Sequence, residues 1–90
     1  MIHELKILPK YFDAVATGIK RFEVRNAEDR KFSVGDVLKL VENEEYGTVM
    51  RPTGRTVCVA ITYILSSDDF MKGLHVGYVV LSLGEPFDRT

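Results

Sequence analysis

Apolar and polar residues alternate over several short stretches of this chain, a pattern typical of β-strands that bury one face. The alternation predicts five strands, at residues 2–8, 20–26, 36–42, 55–65 and 77–84. In the second of these, Phe22 and Val24 face one way, and Arg21, Glu23 and Arg25 face the other. The fourth, RTVCVAITYIL, is rich in β-branched residues and is the strongest strand signal in the chain.

One segment has the apolar spacing of a helix instead. Apolar residues recur there at roughly helical intervals, at Tyr11, Phe12, Val15 and Ile19. Pro9 precedes them and suits the first turn of a helix. Gly18 stands where a glycine often follows the last helical residue. We therefore predict a short helix at about residues 9–17, ended by Gly18.

The remaining segments predict loops. Residues 43–54 contain two glycines and a proline among many polar residues, which predicts a long loop or a ragged hairpin. Residues 66–74, SSDDFMKGL, begin with residues that cap helices and predict at most one helical turn. The elements do not alternate as βαβα. We predict a mainly β, α+β fold with one or two short helices, its small mixed sheet closed or nearly closed into a barrel.

The composition narrows the class of protein. The chain has 90 residues, which suits a single domain, and its 46% hydrophobic and 28% charged residues are typical of a soluble globular protein. No apolar run is long enough to span a bilayer, and the first residues lack the layout of a signal peptide. The only cysteine, Cys58, lies in a strand and is expected to be a small buried residue. We expect a cytoplasmic protein without a membrane partner.

The charge is distributed unevenly along the chain. The net charge is −1, which gives no general attraction to nucleic acid. Residues 1–31 nevertheless carry seven Lys or Arg against five acidic residues, whereas residues 32–90 carry five against eight. A surface that binds an anion is therefore expected in the first third of the chain.

The densest group of charges forms a motif. Residues 18–25 read GIKRFEVR and place Gly18, Lys20, Glu23 and Arg25 at the spacing G-x-K-x-x-E-x-R. This run resembles the signature of the ASCH (activating signal cointegrator homology) domains, β-barrels related to the PUA domains of RNA-modifying enzymes. Four further blocks resemble a compact bacterial and phage branch of that superfamily: HELKILPKYFDAV at 3–15, FSVGDVL at 32–38, VAITYIL at 59–65 and GYVVL at 77–81. The resemblance spans roughly residues 2–84.

The resemblance implies a site for RNA or a nucleotide in a cleft between the helix and the barrel. It assigns Lys20, Glu23 and Arg25 to the polar positions of the signature and directs Lys6, on the first strand, toward the same cleft. Lys20 and Arg25 would offer phosphate a point charge and a planar fork. Glu23 would orient the guanidinium of Arg25 or accept from a base amino group. From spacing alone, an ion cluster that merely holds the helix-to-strand junction is favoured over a binding site, and the family resemblance reverses that preference.

Enzymatic alternatives follow from the same resemblance. One small group of the superfamily removes an acyl group from a modified cytidine and has threonine, its nucleophile, where this chain has Glu23. A metal-free hydrolase acting on a modified nucleoside or RNA stays open, with Lys20 as base or electrostatic stabiliser and Glu23 as its partner. Tyr63 would join them in acid–base chemistry if it converges with Lys20. A second alternative is a protein-interaction module of phage or bacterial origin.

Other side chains could complete such a site. Tyr63 and Tyr78 would either stack on a base or belong to the core. The sequence contains no cluster of Cys, His or acidic residues with metal-ligand spacing, so neither a metal nor another cofactor is expected.

Overall fold

The computed structural model describes residues 1–88. Six elements follow one another along the chain: β1 (Ile2–Ile7), α1 (Pro9–Ala16), β2 (Phe22–Asn26), β3 (Val37–Tyr46), β4 (Val49–Ser66) and β5 (Tyr78–Leu83). The prediction of a mainly β fold with a short helix is confirmed. The segment after β4 forms hydrogen-bonded turns, one of them closed by a helix-like hydrogen bond from the amide of Leu74 to the carbonyl of Phe70. In residues 1–88 no helix is long and apolar enough to cross a membrane.

The strands form one mixed sheet in the order β1-β3-β4-β5-β2. β1 runs parallel to β3, and every other neighbouring pair is antiparallel. β4 has 18 residues and serves two partners, pairing with β3 through Ala60 and with β5 from Ile61 onward. The register shifts between Ile61 and Tyr63, where the strand changes partner. Such a bulge bends a strand and increases its twist, which helps the sheet to curl.

The curl brings the two edge strands, β1 and β2, close together. Nη2 of Arg25 on β2 donates a hydrogen bond of 2.8 Å to the carbonyl oxygen of Lys6 on β1. Over the described part of the chain, no backbone ladder joins these two strands. The sheet is therefore nearly closed, and we call the opening between the facing edges of β1 and β2 the seam.

The interior of the curled sheet is apolar. The fully buried side chains come mostly from the three central strands: Leu38, Leu40, Val57, Val59, Ile61 and Leu81. α1 packs on β3 and β4 and buries Phe12 and Val15. Cys58 is buried as expected, and desolvation raises the pKa of its thiol, so it is a poor nucleophile.

Residues 43–54 are more regular than the composition indicates. They form the distal end of the β3–β4 hairpin, with paired residues from Asn43 and Pro52 to Tyr46 and Val49. Gly47 occupies the turn with φ of 65°, a left-handed conformation that glycine adopts without strain. The prediction of a hairpin is confirmed, and that of a long loop is wrong. Both faces of this arm are exposed from residue 44 onward, so no buried face imposes the apolar alternation that marks a strand.

Candidate functional site

The candidate site begins where α1 ends. The last helical residue is Ala16, and Gly18 follows with φ of 80°, so the predicted role of this glycine is confirmed. The amide of Lys20 then donates 2.9 Å to the carbonyl of Ala14 and holds the reversed chain against the helix. This turn places Lys20 two residues before Phe22, where β2 begins.

β2 turns its charged residues inward and its apolar residues outward. Glu23 is only 5% exposed and Arg25 is half-buried, whereas Phe22 and Val24 are 49% and 46% exposed. The predicted alternation is confirmed within β2, with Glu23 and Arg25 directed into the molecule, whereas Arg21 lies before the strand and is exposed. This direction is possible because β2 is an edge strand, so its inward positions border the seam rather than the middle of the core.

The signature residues form a cluster of ion pairs. Glu23 accepts 2.5 Å from Nζ of Lys20 at one carboxylate oxygen and 2.7 Å from Nε of Arg25 at the other. Lys20 also donates 2.7 Å to the carbonyl of Phe22, and Arg25 donates to that of Lys6. We call Lys20, Glu23 and Arg25 the Glu23 cluster. One buried carboxylate thus orients two cations at the seam.

Both cations retain donors for a ligand. A guanidinium carries five N–H groups, and the described residues accept from two of those on Arg25, at Glu23 and Lys6. An ammonium carries three, and two of those on Lys20 are engaged. The side chains of Lys20 and Arg25 are 15% and 27% exposed, so their remaining donors are accessible from solvent.

A cavity of about 420 Å³, which we call the cleft, opens at the Glu23 cluster. Its volume lies in the usual range for small-molecule sites. Its lining comes from β1, the start of α1 and β2: Lys6, Ile7, Leu8, Tyr11, Lys20, Phe22, Glu23, Val24 and Arg25. Three of these residues are cationic and one is acidic, so the lining carries a formal charge of +2 in a chain whose net charge is −1.

Of two further residues that the sequence assigned to the candidate site, the structure places Lys6 at the cleft and Tyr63 away from it. Lys6 lines the cleft from the exposed side of β1, and its side chain pairs with no carboxylate among residues 1–88. Tyr63 lies outside the cleft, and its side chain is 62% exposed on β4. The ladders Phe22↔Ser82 and Ser82↔Tyr63 put β5 between Tyr63 and β2. Lys20 and Tyr63 therefore do not converge, so Tyr63 is not available as a catalytic partner of Lys20 in the hydrolase alternative.

Two aromatic residues at the cleft were not identified from the sequence. Nζ of Lys20 lies 5.8 Å from the ring centroid of Tyr11 and 4.8 Å from that of Phe22, within range of cation–π attraction. Most of α1 and the turn after it separate Tyr11 from Phe22 in the chain. No regular sequence spacing therefore predicts that the two rings lie near the same cation. The sequence offered one local signal of an aromatic residue at the site, which is that Phe22 directly precedes Glu23. Tyr78, a candidate from the sequence, instead contacts the ring of His75 edge-on.

A second buried glutamate forms a separate cluster on the other flank of α1. Glu42 accepts 2.9 Å from Nε and 2.6 Å from Nη2 of Arg55, and the hydroxyl of Thr53 donates to it as well. Arg55 also donates 3.0 Å to Asp13 on α1. We call Asp13, Glu42, Thr53 and Arg55 the Glu42 cluster. The hydrogen bonds from Arg55 lower the pKa of the Glu42 carboxyl, and the cluster ties the helix to β3 and β4.

A third buried carboxylate supports the turn before β3. Asp36 lies 2.8 Å from Nε2 of the buried His3 and accepts 3.0 Å from the amide of Ser33. The hydrogen bond with His3 is the main cause that lowers the pKa of Asp36 to about 2. Across residues 1–88, no three His, Cys, Asp or Glu side chains are grouped to hold a metal ion.

Comparison with known proteins assigns the family. Residues 2–83 match the family described as a domain of unknown function, DUF3850. The chain is also 41% identical over 91 residues to an uncharacterized 12.9 kDa protein in the GpA 3′ region of Escherichia phage P2. That alignment covers 99% of this chain and 75% of the phage protein. The chain therefore belongs to the DUF3850 family.

Proposed function

We propose that this protein binds RNA or a nucleotide in the cleft. Lys6, Lys20 and Arg25 contact phosphate, and the cleft admits a base beside Tyr11 and Phe22. The observation that carries the proposal is the surplus of positive charge around one buried carboxylate. The resemblance of residues 18–25 to the ASCH signature, with its PUA-like relatives, supports the same conclusion.

The charge balance indicates an anionic ligand. Glu23 neutralises one positive charge, so a formal charge of +2 remains in the lining. Lys6 and Arg25 carry donors that no described residue accepts. In a partly closed cleft such charges interact more strongly with an anion than they would on an open surface. Phosphate suits this arrangement because Arg25 offers a planar fork and the lysines offer point charges.

The aromatic side chains indicate that the anion also carries a flat ring. Tyr11 and Phe22 are 43% and 49% exposed and line the same cavity as the cations. Single-stranded nucleic acids are bound through base stacking on such rings combined with phosphate contacts. A nucleotide satisfies both requirements with one molecule.

Glu23 has an orienting role in this proposal. Each of its carboxylate oxygens already accepts from a cation, and the residue is almost completely buried. It therefore positions Lys20 and Arg25. Any hydrogen bond to the edge of a base comes from other groups. Binding is also better supported than hydrolysis, because Tyr63 lies away from Lys20 and Glu23 is engaged by two cations.

A titration with nucleoside monophosphates, the matching nucleosides and a single-stranded tetraribonucleotide tests the proposal. We expect phosphorylated ligands to bind more tightly than nucleosides, with affinity that falls as salt increases. Lys6→Ala should weaken binding about tenfold, because a hydrogen bond to a charged group contributes about 1.5 kcal/mol. Lys20→Ala and Arg25→Ala should weaken it at least as much.

Lys6→Ala is the most informative variant, because the Lys6 side chain is exposed and its loss leaves the Glu23 cluster intact. Lys72→Ala is its matched control, since it removes one positive charge from an exposed turn outside the cleft. Thermal unfolding should confirm that each variant is folded. Binding by none of these ligands, or binding that is equal in Lys6→Ala and Lys72→Ala, would contradict the proposal.

A further inference from the structure

We infer, building on the proposed function, that the ligand is a single strand of at least two nucleotides lying along the seam. In this arrangement Arg25 lies between two successive nucleotides. The inference adds the length and path of the ligand, which the cleft alone does not define.

A second cavity continues the cleft along the seam. It has a volume of about 600 Å³ and shares Arg25 with the cleft. On β1 the cleft is lined from Lys6 onward, and the second cavity by Leu5. On β2 the cleft ends at Arg25, and the second cavity includes Arg25 and Asn26. The two cavities are therefore consecutive along the same pair of strands.

A third cavity, of about 560 Å³, extends the path beyond the end of β2. It shares Glu28, Arg30 and Phe32 with the second cavity and adds Lys31. It turns away from the seam toward β4 and β5, where Ile64, Ser66 and Val79 line it. The side chain of Arg25 is bonded to both edge strands and lines both of the first two cavities, so it stands between them. A mononucleotide would occupy the cleft and leave the rest of this groove empty. A linear ligand would use all of it.

Cations recur along this path. Lys6 and Lys20 line the first cavity, Arg25 the first and second, and Arg30 the second and third. A polymer with one phosphate for each nucleotide matches such a series. Glu28 and Asp29 also line the second cavity and offset its two arginines. We therefore expect the second nucleotide to add less affinity than the first.

The second cavity also offers a surface for a base. The guanidinium of Arg30 lies 6.0 Å from the ring centroid of Phe32 and is itself exposed. Phe32 is buried, so the flat surface open to a ligand is the guanidinium plane of Arg30, and such planes stack on the unpaired bases of single strands. An acidic peptide would satisfy the cations but would have no use for this flat surface, which favours a nucleic acid.

A length series tests the inference. The ligands are 5′-phosphorylated oligouridylates of one to four nucleotides, in which each nucleotide carries one phosphate. Affinity should rise at least about fivefold from one nucleotide to two, the lower end of what stacking of one base contributes. The slope of log affinity against log salt should steepen by about 0.7 for each added phosphate contact.

Arg30→Ala separates this inference from the proposed function. It should abolish the gain from the second nucleotide and leave mononucleotide binding unchanged, because Arg30 lines only the second and third cavities. Lys72→Ala, with the same loss of charge, should keep the gain. Arg30 makes no ion pair among the described residues, so its removal should not unfold the protein.

The possible results are distinct. Equal affinity for all lengths would overturn the inference and leave the cleft proposal intact, whereas no binding at any length would contradict both. If oligodeoxyuridylates show the same gain in affinity with length, the protein binds a single strand without contacting its 2′-hydroxyls. A gain confined to the oligoribonucleotides would support RNA. A similar gain with oligoglutamates of matched charge would overturn the assignment to nucleic acid.

Discussion

The Glu42 cluster and the Glu23 cluster resemble each other in construction and differ in their charge balance. Both centre on a glutamate that is almost completely buried, 2% exposed for Glu42 and 5% for Glu23. Glu42 shares a single cation, Arg55, with Asp13. Glu23 has two cations of its own, Lys20 and Arg25, at an open cleft. The first cluster therefore carries an excess of acid, and the second an excess of base.

This difference separates a structural ion cluster from a candidate binding site. Arg55 directs its donors to acids of this chain on both sides, so it ties α1 to the sheet. Arg25 and Lys20 hold the helix-to-strand junction as well, yet they keep donors directed to the cleft. Burial of an ion pair does not by itself distinguish the two roles. The two roles are distinguished by the net charge of each cluster and by the N–H donors that no described residue accepts.

The largest expected effect comes from breaking the Glu42 cluster. Arg55→Met should lower the free energy of unfolding by about 3 kcal/mol or more, because it leaves the Glu42 carboxylate buried without a cation. Urea unfolding at neutral pH measures this loss. The double variant Glu42→Met, Arg55→Met should recover most of it, since an apolar pair of similar volume removes the buried charge. A loss below about 1 kcal/mol in the single variant would show that this cluster does not anchor the helix.

A smaller loss is expected in the Glu23 cluster. Lys20→Met should lower the free energy of unfolding by about 1–2 kcal/mol, because Glu23 keeps Arg25 as a charged partner. The same urea measurement applies, with Lys72→Met as a surface control that should change stability by no more than about 0.5 kcal/mol. A loss as large as that of Arg55→Met would mean that Glu23 depends on one cation, as Glu42 does, and the contrast between the clusters would fail.

The last prediction concerns the pH dependence of stability in acid solution, where Asp36 titrates. Its pKa is lowered from an ordinary value of 3.8 to about 2, so folding favours the charged carboxylate. The resulting stabilisation is present above about pH 4 and is lost as the pH falls toward about 2. Asp36→Asn should therefore lose less stability than wild type over this interval, as thermal unfolding at several pH values would show. Glu42 also has a lowered pKa and titrates in both proteins, so its contribution cancels in the difference. Parallel losses in the two proteins would contradict the assignment.

The sequence predicted best those features whose cause is local. Burial alternates in β1 and β5 as predicted, because the pleat of a strand directs neighbouring side chains to opposite faces. The chain reverses at Gly18 as predicted, because glycine adopts the left-handed backbone conformation without strain. The arm between Asn43 and Gly54 was predicted less well. Its exposed strands lack the apolar pattern, and pairing across the hairpin decides their structure.

In the candidate site, too, some features follow from the local sequence and others from the tertiary structure. The sequence alone determined that Glu23 and Arg25 lie at alternating positions of one strand, that Lys20 stands shortly before them, and that Lys6 lies on another strand. Only the tertiary structure decided that these residues meet. β4 pairs with β3 along one part and β5 along another, which curls the sheet until β1 and β2 face each other. The same curl brings Tyr11 to the cleft and keeps Tyr63 outside it. Residues far apart in the chain converge through the path of the whole sheet, which no local pattern specifies.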